Sequence, residues 1–393
     1  MMRREITCLF AFNAHITLTL PPSLPPSVRS SLPGDIASNP SNFRAALAAA
    51  RRRFHATFIV AGNHDLWVSS ALAEEGVVDS IDKLAWVHKV AAEEDEDGRE
   101  DGEQKSSSSS SSSSGSSSSS RNKRGKIYTG PVLLHLPPHL SLPPSLLLLV
   151  PLLSWYHPSW DTEPDLPAEI LAELYKGRPS FEQCWADFRY CKWPEEVVRG
   201  EGGREGGREE WVSTTTRNRG IAEWFAKQNE GFLEDARVRV ETREGGREGG
   251  RKVVVISFSH FLPREELCPE KRFLIEPMLT KVIGSRPLRE QVERLKPDLH
   301  LFGHTHIPLD IEVGGIRYLQ WPLGSVGEQG RQTGEMSLKG PVVVFDSKGG
   351  EGGREGGLQG EVPTRWGAHY KEEGRDVLKT ELAPWVKMYW NRR

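Results

Sequence analysis

Residues Pro297–Asp310 read PDLHLFGHTHIPLD. A short apolar strand, Leu299 to Phe302, runs into Gly303 and then His304-Thr305-His306. Two imidazoles at i and i+2 thus leave the end of a strand beside a glycine. That arrangement can aim two nitrogens at one small volume, as a metal site requires. The alternative is a pair of surface histidines with no ligand role. What separates the two is whether the rest of the chain supplies partners.

Other runs end in the same way. Thr57 to Ala61 is apolar and ends in Gly62-Asn63-His64-Asp65. Val253 to Phe258 is β-branched and ends at Ser259-His260, and Gly34-Asp35 forms a fourth cluster upstream. Ser41 reads as a helix N-cap, with Phe43, Leu47, Ala50 and Phe54 following at helical spacing. Helical patterns recur at Ala168 to Lys176 and Ile221 to Gln228. Leu288, Val292 and Leu295 mark another helix, closed by Pro297, and strands are expected at Arg317 to Gln320 and Val342 to Phe345. Alternating helices and strands with polar strand ends predict an α/β fold, layered α/β/β/α. Sites in such folds sit at the carboxyl ends of the strands.

Each cluster has a bland reading alone. Gly-Asp is a common turn, Asn-His-Asp can cap a helix, and a lone histidine such as His260 often packs in a core. Together, in this order, they resemble the calcineurin-like metallophosphoesterases, whose motifs read DxH, GDxx, GNH[D/E], a lone His after a strand, and GHxH. Gly34-Asp35-Ile36-Ala37, Gly62-Asn63-His64-Asp65, His260 and Gly303-His304-Thr305-His306 match four of the five, over Leu32 to Leu309.

The resemblance implies a two-sheet sandwich flanked by helices, with two divalent ions (Mn, Fe or Zn) between the sheet edges. It implies Asp35 as the carboxylate bridging both ions. Asn63, His260 and His304 would hold one ion, and His306 would join Asp35 on the other. His64 would be the general acid that protonates the leaving oxygen, with Asp65 orienting its imidazole. The nucleophile would be a metal-bound hydroxide, and the partner a phosphate-ester substrate.

The first motif is missing. A Pro/Ser tract stands where its strand should be, and the only echo is Asn13-Ala14-His15 after an apolar run. Without it one ion keeps Asp35 and His306 alone, so one tightly held ion and weak or absent phosphatase activity are expected. Three functional readings follow: a metal-dependent phosphoesterase, impaired by that loss; a non-catalytic metal-binding scaffold of the same fold that binds phosphorylated ligands or partners; and a faulty translation of an active enzyme.

The chain has 393 residues, with 37% hydrophobic content and a net charge of -3. Near-neutral charge and the lack of a basic stripe interleaved with aromatics argue against nucleic acid as a partner. Cys8, Cys184, Cys191 and Cys268 are too few and scattered for a disulfide scaffold, and read as free thiols in a reducing, cytoplasmic compartment. Met1 to Leu20 imitates a signal peptide, but Asn13 and His15 interrupt it and no small-residue cleavage site follows. Leu146 to Leu153 is too short to span a bilayer. Trp155 to Asp161 reads either as a pocket wall or as packing, and Phe181 to Trp193, with Cys184 and Cys191, as buried thiols rather than a zinc site. Pro384 to Trp390 either docks on the domain or binds a partner.

The expected organisation is an atypical, disordered segment 1–31, a phosphoesterase domain 32–348, and a low-complexity linker with an aromatic tail, 349–393. The domain carries insertions near 91–126, 135–149, 200–210 and 243–251. Ala91 to Lys126 reads as a charged, serine-rich tether. Glu-Gly-Gly-Arg repeats at Gly200 to Glu210, Arg243 to Arg251 and Gly349 to Gly357, and Ser-Leu-Pro-Pro at Ser23 to Pro26 and Ser141 to Pro144. A GGGA tetranucleotide encodes the first in any frame, and its complement encodes the second. These repeats are therefore insertions or retained non-coding sequence, unable to build a core. Sequencing the transcript checks this: a message lacking the repeats is the outcome expected of retention, and one carrying them all removes it.

Overall fold

The computed structural model describes residues 16–19, 36–54, 56–103, 125–135, 146–200, 214–244, 253–322, 342–346 and 357–392. Six strands form the main sheet: β4 (Val132–His135), β5 (Leu146–Leu152), β6 (Val253–Ser259), β7 (Leu299–Leu301), β8 (Leu309–Val313) and β9 (Ile316–Gln320), in the order β4-β5-β6-β7-β9-β8. β5, β6, β7 and β9 run parallel, and β4 and β8 close the edges antiparallel. Every residue of β5 and β7 is buried, which is why these strands read as near-continuous apolar runs. Leu146–Leu152 is therefore a central strand, although the sequence placed most of it in a low-complexity insertion. Pro151 is tolerated because β4 pairs with β5 only as far as Leu149, so Pro151 has a strand partner on one side alone.

Two smaller sheets face this one. β2 (Ala56–Phe58) pairs parallel with β3 (Lys126–Tyr128). β1 (Ile16–Thr19), β10 (Val342–Asp346) and β11 (Gly357–Leu358) form the other. One core unites Phe58, Val60, Val344 and Phe345 with Leu148, Ile256, Phe258 and Leu301. The fold is thus an α/β sandwich, its second layer divided between two small sheets.

Helices cover the outer faces. α1 (Pro40–Arg53) and α2 (Ser80–Glu103) bury Phe43, Leu47, Trp86 and Val90 against Ile59 and Ile127. The N-cap of α1 is Asn39, not Ser41: its Oδ1 accepts from the backbone N–H of Ser41 at 2.9 Å and of Asn42 at 3.2 Å. Pro40 then occupies the first turn, where its missing N–H costs nothing. α2 continues to Glu103, so the stretch expected to be a tether from Ala91 is helical that far, and residues 104–124 lie outside the described residues.

Four short helices follow: α3 (Ala168–Leu174), α4 (Phe181–Cys184), α5 (Asp187–Tyr190) and α6 (Glu195–Arg199). α7 (Thr214–Glu244) and α8 (Arg286–Leu295) pack on the main sheet through Ile221, Phe225, Leu288 and Val292. Buried Asn229 pins α7 to the end of β5. It donates to the Leu153 carbonyl at 2.7 Å and to Gln291 Oε1 at 2.8 Å, and accepts from the Leu153 N–H at 2.9 Å.

The C-terminal segment docks rather than hanging free. α9 (Arg365–Glu372) and α10 (Pro384–Asn391) lie over α3, with Val386, Leu382 and Ala383 packed on Leu166, Leu174 and Phe273. Cys191 and Cys268 are buried, whereas Cys184, expected to be a buried thiol, is exposed. No helix among the described residues is long and apolar enough to cross a membrane. The segment 1–31 apart from β1, and nearly all of the Glu-Gly-Gly-Arg and Ser-Leu-Pro-Pro repeats, lie outside the described residues.

A buried histidine on β7 sets a pH dependence. His300 is fully enclosed, with Ser257 Oγ 2.8 Å from Nδ1 and Ser259 Oγ 3.0 Å from Nε2, and burial pushes its ring down to about 3. His157 is lowered to about 4 by burial and by Arg219 and Arg286. The unfolded chain binds these protons near pH 6.5 and the folded one does not. Their stabilisation is therefore complete above pH 6.5 and is lost as pH falls towards the folded values. At pH 5, His300 alone accounts for about 2 kcal/mol. Urea titrations across pH 4 to 7 are expected to show stability rising with pH, with a shallower slope in His300→Gln.

Candidate metal centre

Three strand ends deliver the predicted residues to one place. β2 leads through Val60 and Ala61 to Gly62 and Asn63, and a 3-10 turn, His64–Leu66, follows. β6 ends beside His260, and β7 leads to Gly303–His306. Asn63 Oδ1 lies 2.7 Å from His260 Nε2, which lies 2.9 Å from His304 Nδ1. Asn63 and His260 are buried, and His64, His304 and His306 are half-buried. His306 is near enough to lower His64, His260 and His304 electrostatically. Five of the expected residues therefore meet, and Asp35 lies outside the described residues.

Burial is the main force on the rings. It holds His260 and His304 well below the usual imidazole range, and neighbouring histidines push the same way. Both are neutral at pH 7, so each ring offers a lone pair to a cation. Phe261 supplies part of the dry surroundings, 4.8 Å from the His260 ring and 4.6 Å from that of His304. Trp155 and Tyr156, each 1% exposed, meet Phe261 edge-on. Trp160 is buried too, but Ser159 and Trp160 also line a cleft with Arg264 and Arg289, so the stretch is packing at Trp155 and Tyr156 and a pocket wall at Ser159 and Trp160.

A tetrahedral site with bonds of about 2.1 Å has edges of roughly 3.4 Å, so to hold one ion the 2.7 Å and 2.9 Å separations would have to open by roughly 0.5–0.7 Å. The set is two imidazoles and an amide oxygen. Among the described residues, no group of three or more His, Cys, Asp or Glu is placed to hold an ion.

His64 stacks on Trp67, ring centres 3.8 Å apart. Burial lowers it, Asp187 opposes that, and His306 adds to it. Asp65 accepts from the Gly62 N–H at 3.0 Å and the Ala37 N–H at 3.2 Å. It thereby ties the residues just after Asp35 to the turn that carries His64.

The His304-Thr305-His306 loop is held in a costly backbone. His304 has φ 71° and His306 φ 57°, the left-handed region that side chains disfavour. Gln320, fully buried at the end of β9, secures it. In the orientation that satisfies its amide, the oxygen accepts from the N–H of His306 at 2.7 Å and of Ile307 at 2.9 Å, and the nitrogen donates to the Gly303 carbonyl at 2.9 Å. No sequence pattern marks this role, because Gln320 closes an ordinary strand.

Asp187 was also missed. It is buried, and accepts from Asn63 Nδ2 at 2.8 Å, Trp67 Nε1 at 2.7 Å and Trp185 Nε1 at 2.8 Å. Burial raises its carboxyl and the three donors oppose that. Its neighbours Trp185 and Tyr190 line the site, Trp185 lying edge-on to His304 at 6.1 Å and Tyr190 against Trp67 at 5.1 Å. Two tryptophans and an aspartate so close together were the available hint.

No family model and no curated protein matches the chain. Its fold is similar to the crystal structure of a phosphopantetheinyl hydrolase from Mycobacterium tuberculosis, at 15% identity and a TM-score of 0.45, over 84% of this chain and 93% of that one.

The strained loop yields a stability test. Glycine takes the His306 backbone without steric cost, whereas a β-branched residue does not. His306→Gly is expected to match or exceed the parent by up to about 1 kcal/mol, and His306→Val to lose about 1–2 kcal/mol, as read from urea midpoints.

Proposed function

We propose that the chain is a metal-dependent phosphoesterase that hydrolyses a phosphate ester. The observation that carries this reading is the convergence of Asn63 Oδ1, His260 Nε2 and His304 Nδ1, neutral and largely dehydrated, beside His64 and His306. Asn63, His260 and His304 would hold a Mn, Fe or Zn ion, which when bound supplies a Lewis acid for the phosphoryl group and lowers the pKa of water. Asp35 and His306 would serve a second, weaker ion.

The chain's own residues then have distinct tasks. The dry floor of Phe261, Trp155 and Tyr156 strengthens every charge interaction above it. His64 is held by its stack on Trp67. The negative charge of a bound phosphate favours its protonated form, and that form hands its proton to the leaving oxygen. Asp65 keeps the turn in place so that His64 stays beside the ligands. The phosphoesterase domain is taken as 32–348, and free thiols at Cys184 and Cys268 fit a reducing, cytoplasmic setting.

One observation favours a second reading. Among the described residues Asn63, His260 and His304 would make up one ligand set and Asp35 is not included, which suits a non-catalytic scaffold that binds phosphorylated ligands through a single ion. Hydrolysis of a generic phosphomonoester with added Mn, measured in the parent and in His64→Ala, separates the two. The enzyme reading expects activity that chelation abolishes and His64→Ala lowers by about 100-fold or more. The scaffold reading expects none in either, with phosphate binding retained. Metal analysis of the purified chain is expected to find one tightly held ion; two per chain would contradict the incomplete second site.

A further inference from the structure

We propose that Asp187 is the positioning residue of this metal centre, deciding which atom of Asn63 faces the ion. The inference rests on the reading of the centre as a metal site. A carboxamide has a donor end and an acceptor end of nearly equal shape, and only its neighbours determine which points where. Only the oxygen can ligate a cation, since the amide nitrogen has no available lone pair.

Asp187 supplies the asymmetry. Its Oδ1 accepts from Asn63 Nδ2 at 2.8 Å, which leaves Asn63 Oδ1 facing His260 Nε2 at 2.7 Å. Turning the amide over would set its oxygen against a carboxylate oxygen with no proton between them. The carboxylate itself cannot turn away. Trp67 Nε1 donates to the same oxygen at 2.7 Å and Trp185 Nε1 to the other at 2.8 Å. Those indoles border the site as well, Trp67 under His64 and Trp185 beside His304. One carboxylate thus orients a ligand and both rings that flank the centre.

The rival explanation is that Asp187 only fastens the α4–α5 segment to the turn after β2. Backbone bonds already do so: the Val68 N–H donates to the Tyr190 carbonyl at 2.9 Å, and the Ser80 N–H to the Lys192 carbonyl at 2.7 Å. A near-isosteric change at Asp187 should therefore leave the fold in place and act on the metal.

The test uses the full chain stripped of metal, with Co²⁺ as probe, reading equilibrium affinity and the visible absorption of the bound ion, and circular dichroism for the fold. Asp187→Asn presents an amide that can face Asn63 either way. It is expected to weaken Co²⁺ binding by about 10- to 100-fold and to change the spectrum. Asn63→Asp combined with Asp187→Asn exchanges donor and acceptor and places at 63 a group with no wrong orientation. It is expected to return affinity to within a few-fold of the parent. Parent-like affinity in folded Asp187→Asn would overturn the proposal. If that variant does not fold, the double variant decides: recovered binding supports it, and absent binding in a folded double variant overturns it. A parent chain that binds no Co²⁺ would sink the metal reading itself, and the inference with it.

Discussion

The contact among Asn63, His260 and His304 is the constraint around which the molecule is arranged. Their polar atoms come from three separate strand ends and lie within hydrogen-bond distance in sequence along the cluster. Nothing local holds them there. The parallel register of β5, β6, β7 and β9 brings two of the strand ends level, and packing of β2 across the sandwich brings the third. Placing polar rings in a dry pocket costs free energy unless they are paired with each other or with a cation. The site therefore draws on the stability of the sheet that supports it.

The supporting structure shows where that cost is carried. The β7–β8 loop takes two histidines into left-handed backbone, secured by buried Gln320. The turn after β2 is closed by Asp65, and the amide of Asn63 is backed by Asp187. Beneath all of this lies an aromatic floor, with Trp155, Tyr156 and Phe261 in mutual edge and stacking contact. Rigid apolar packing below and fixed hydrogen bonds around the rim are what preorganise a centre before an ion arrives.

Much of this was legible from the residues. The strand runs at 57–61, 253–258 and 299–302 are apolar enough to declare themselves, and the glycines and histidines at their ends pointed to one location. The α/β layering followed from alternation of period. What was not legible has physical reasons. Leu146–Leu152 is a leucine run between simple repeats, and a buried strand and a compositional accident look alike until a neighbour pairs with it. Asn39 outranked Ser41 as a cap because Pro40 favours the first turn. Asp187 acts across 124 residues of chain and Gln320 back to Gly303, His306 and Ile307 from the far end of a hairpin, and such hydrogen bonds leave no periodic trace. The docking of α10 depended on whether Leu166, Leu174 and Phe273 left an open apolar face, which only the packed structure reveals.

Anomalous diffraction at the zinc edge, from crystals of the full chain grown with zinc, tests the central claim most directly. The account predicts a peak about 2.0–2.2 Å from Asn63 Oδ1 and from one ring nitrogen each of His260 and His304. No peak there, or an ion bound only at surface side chains, would contradict it.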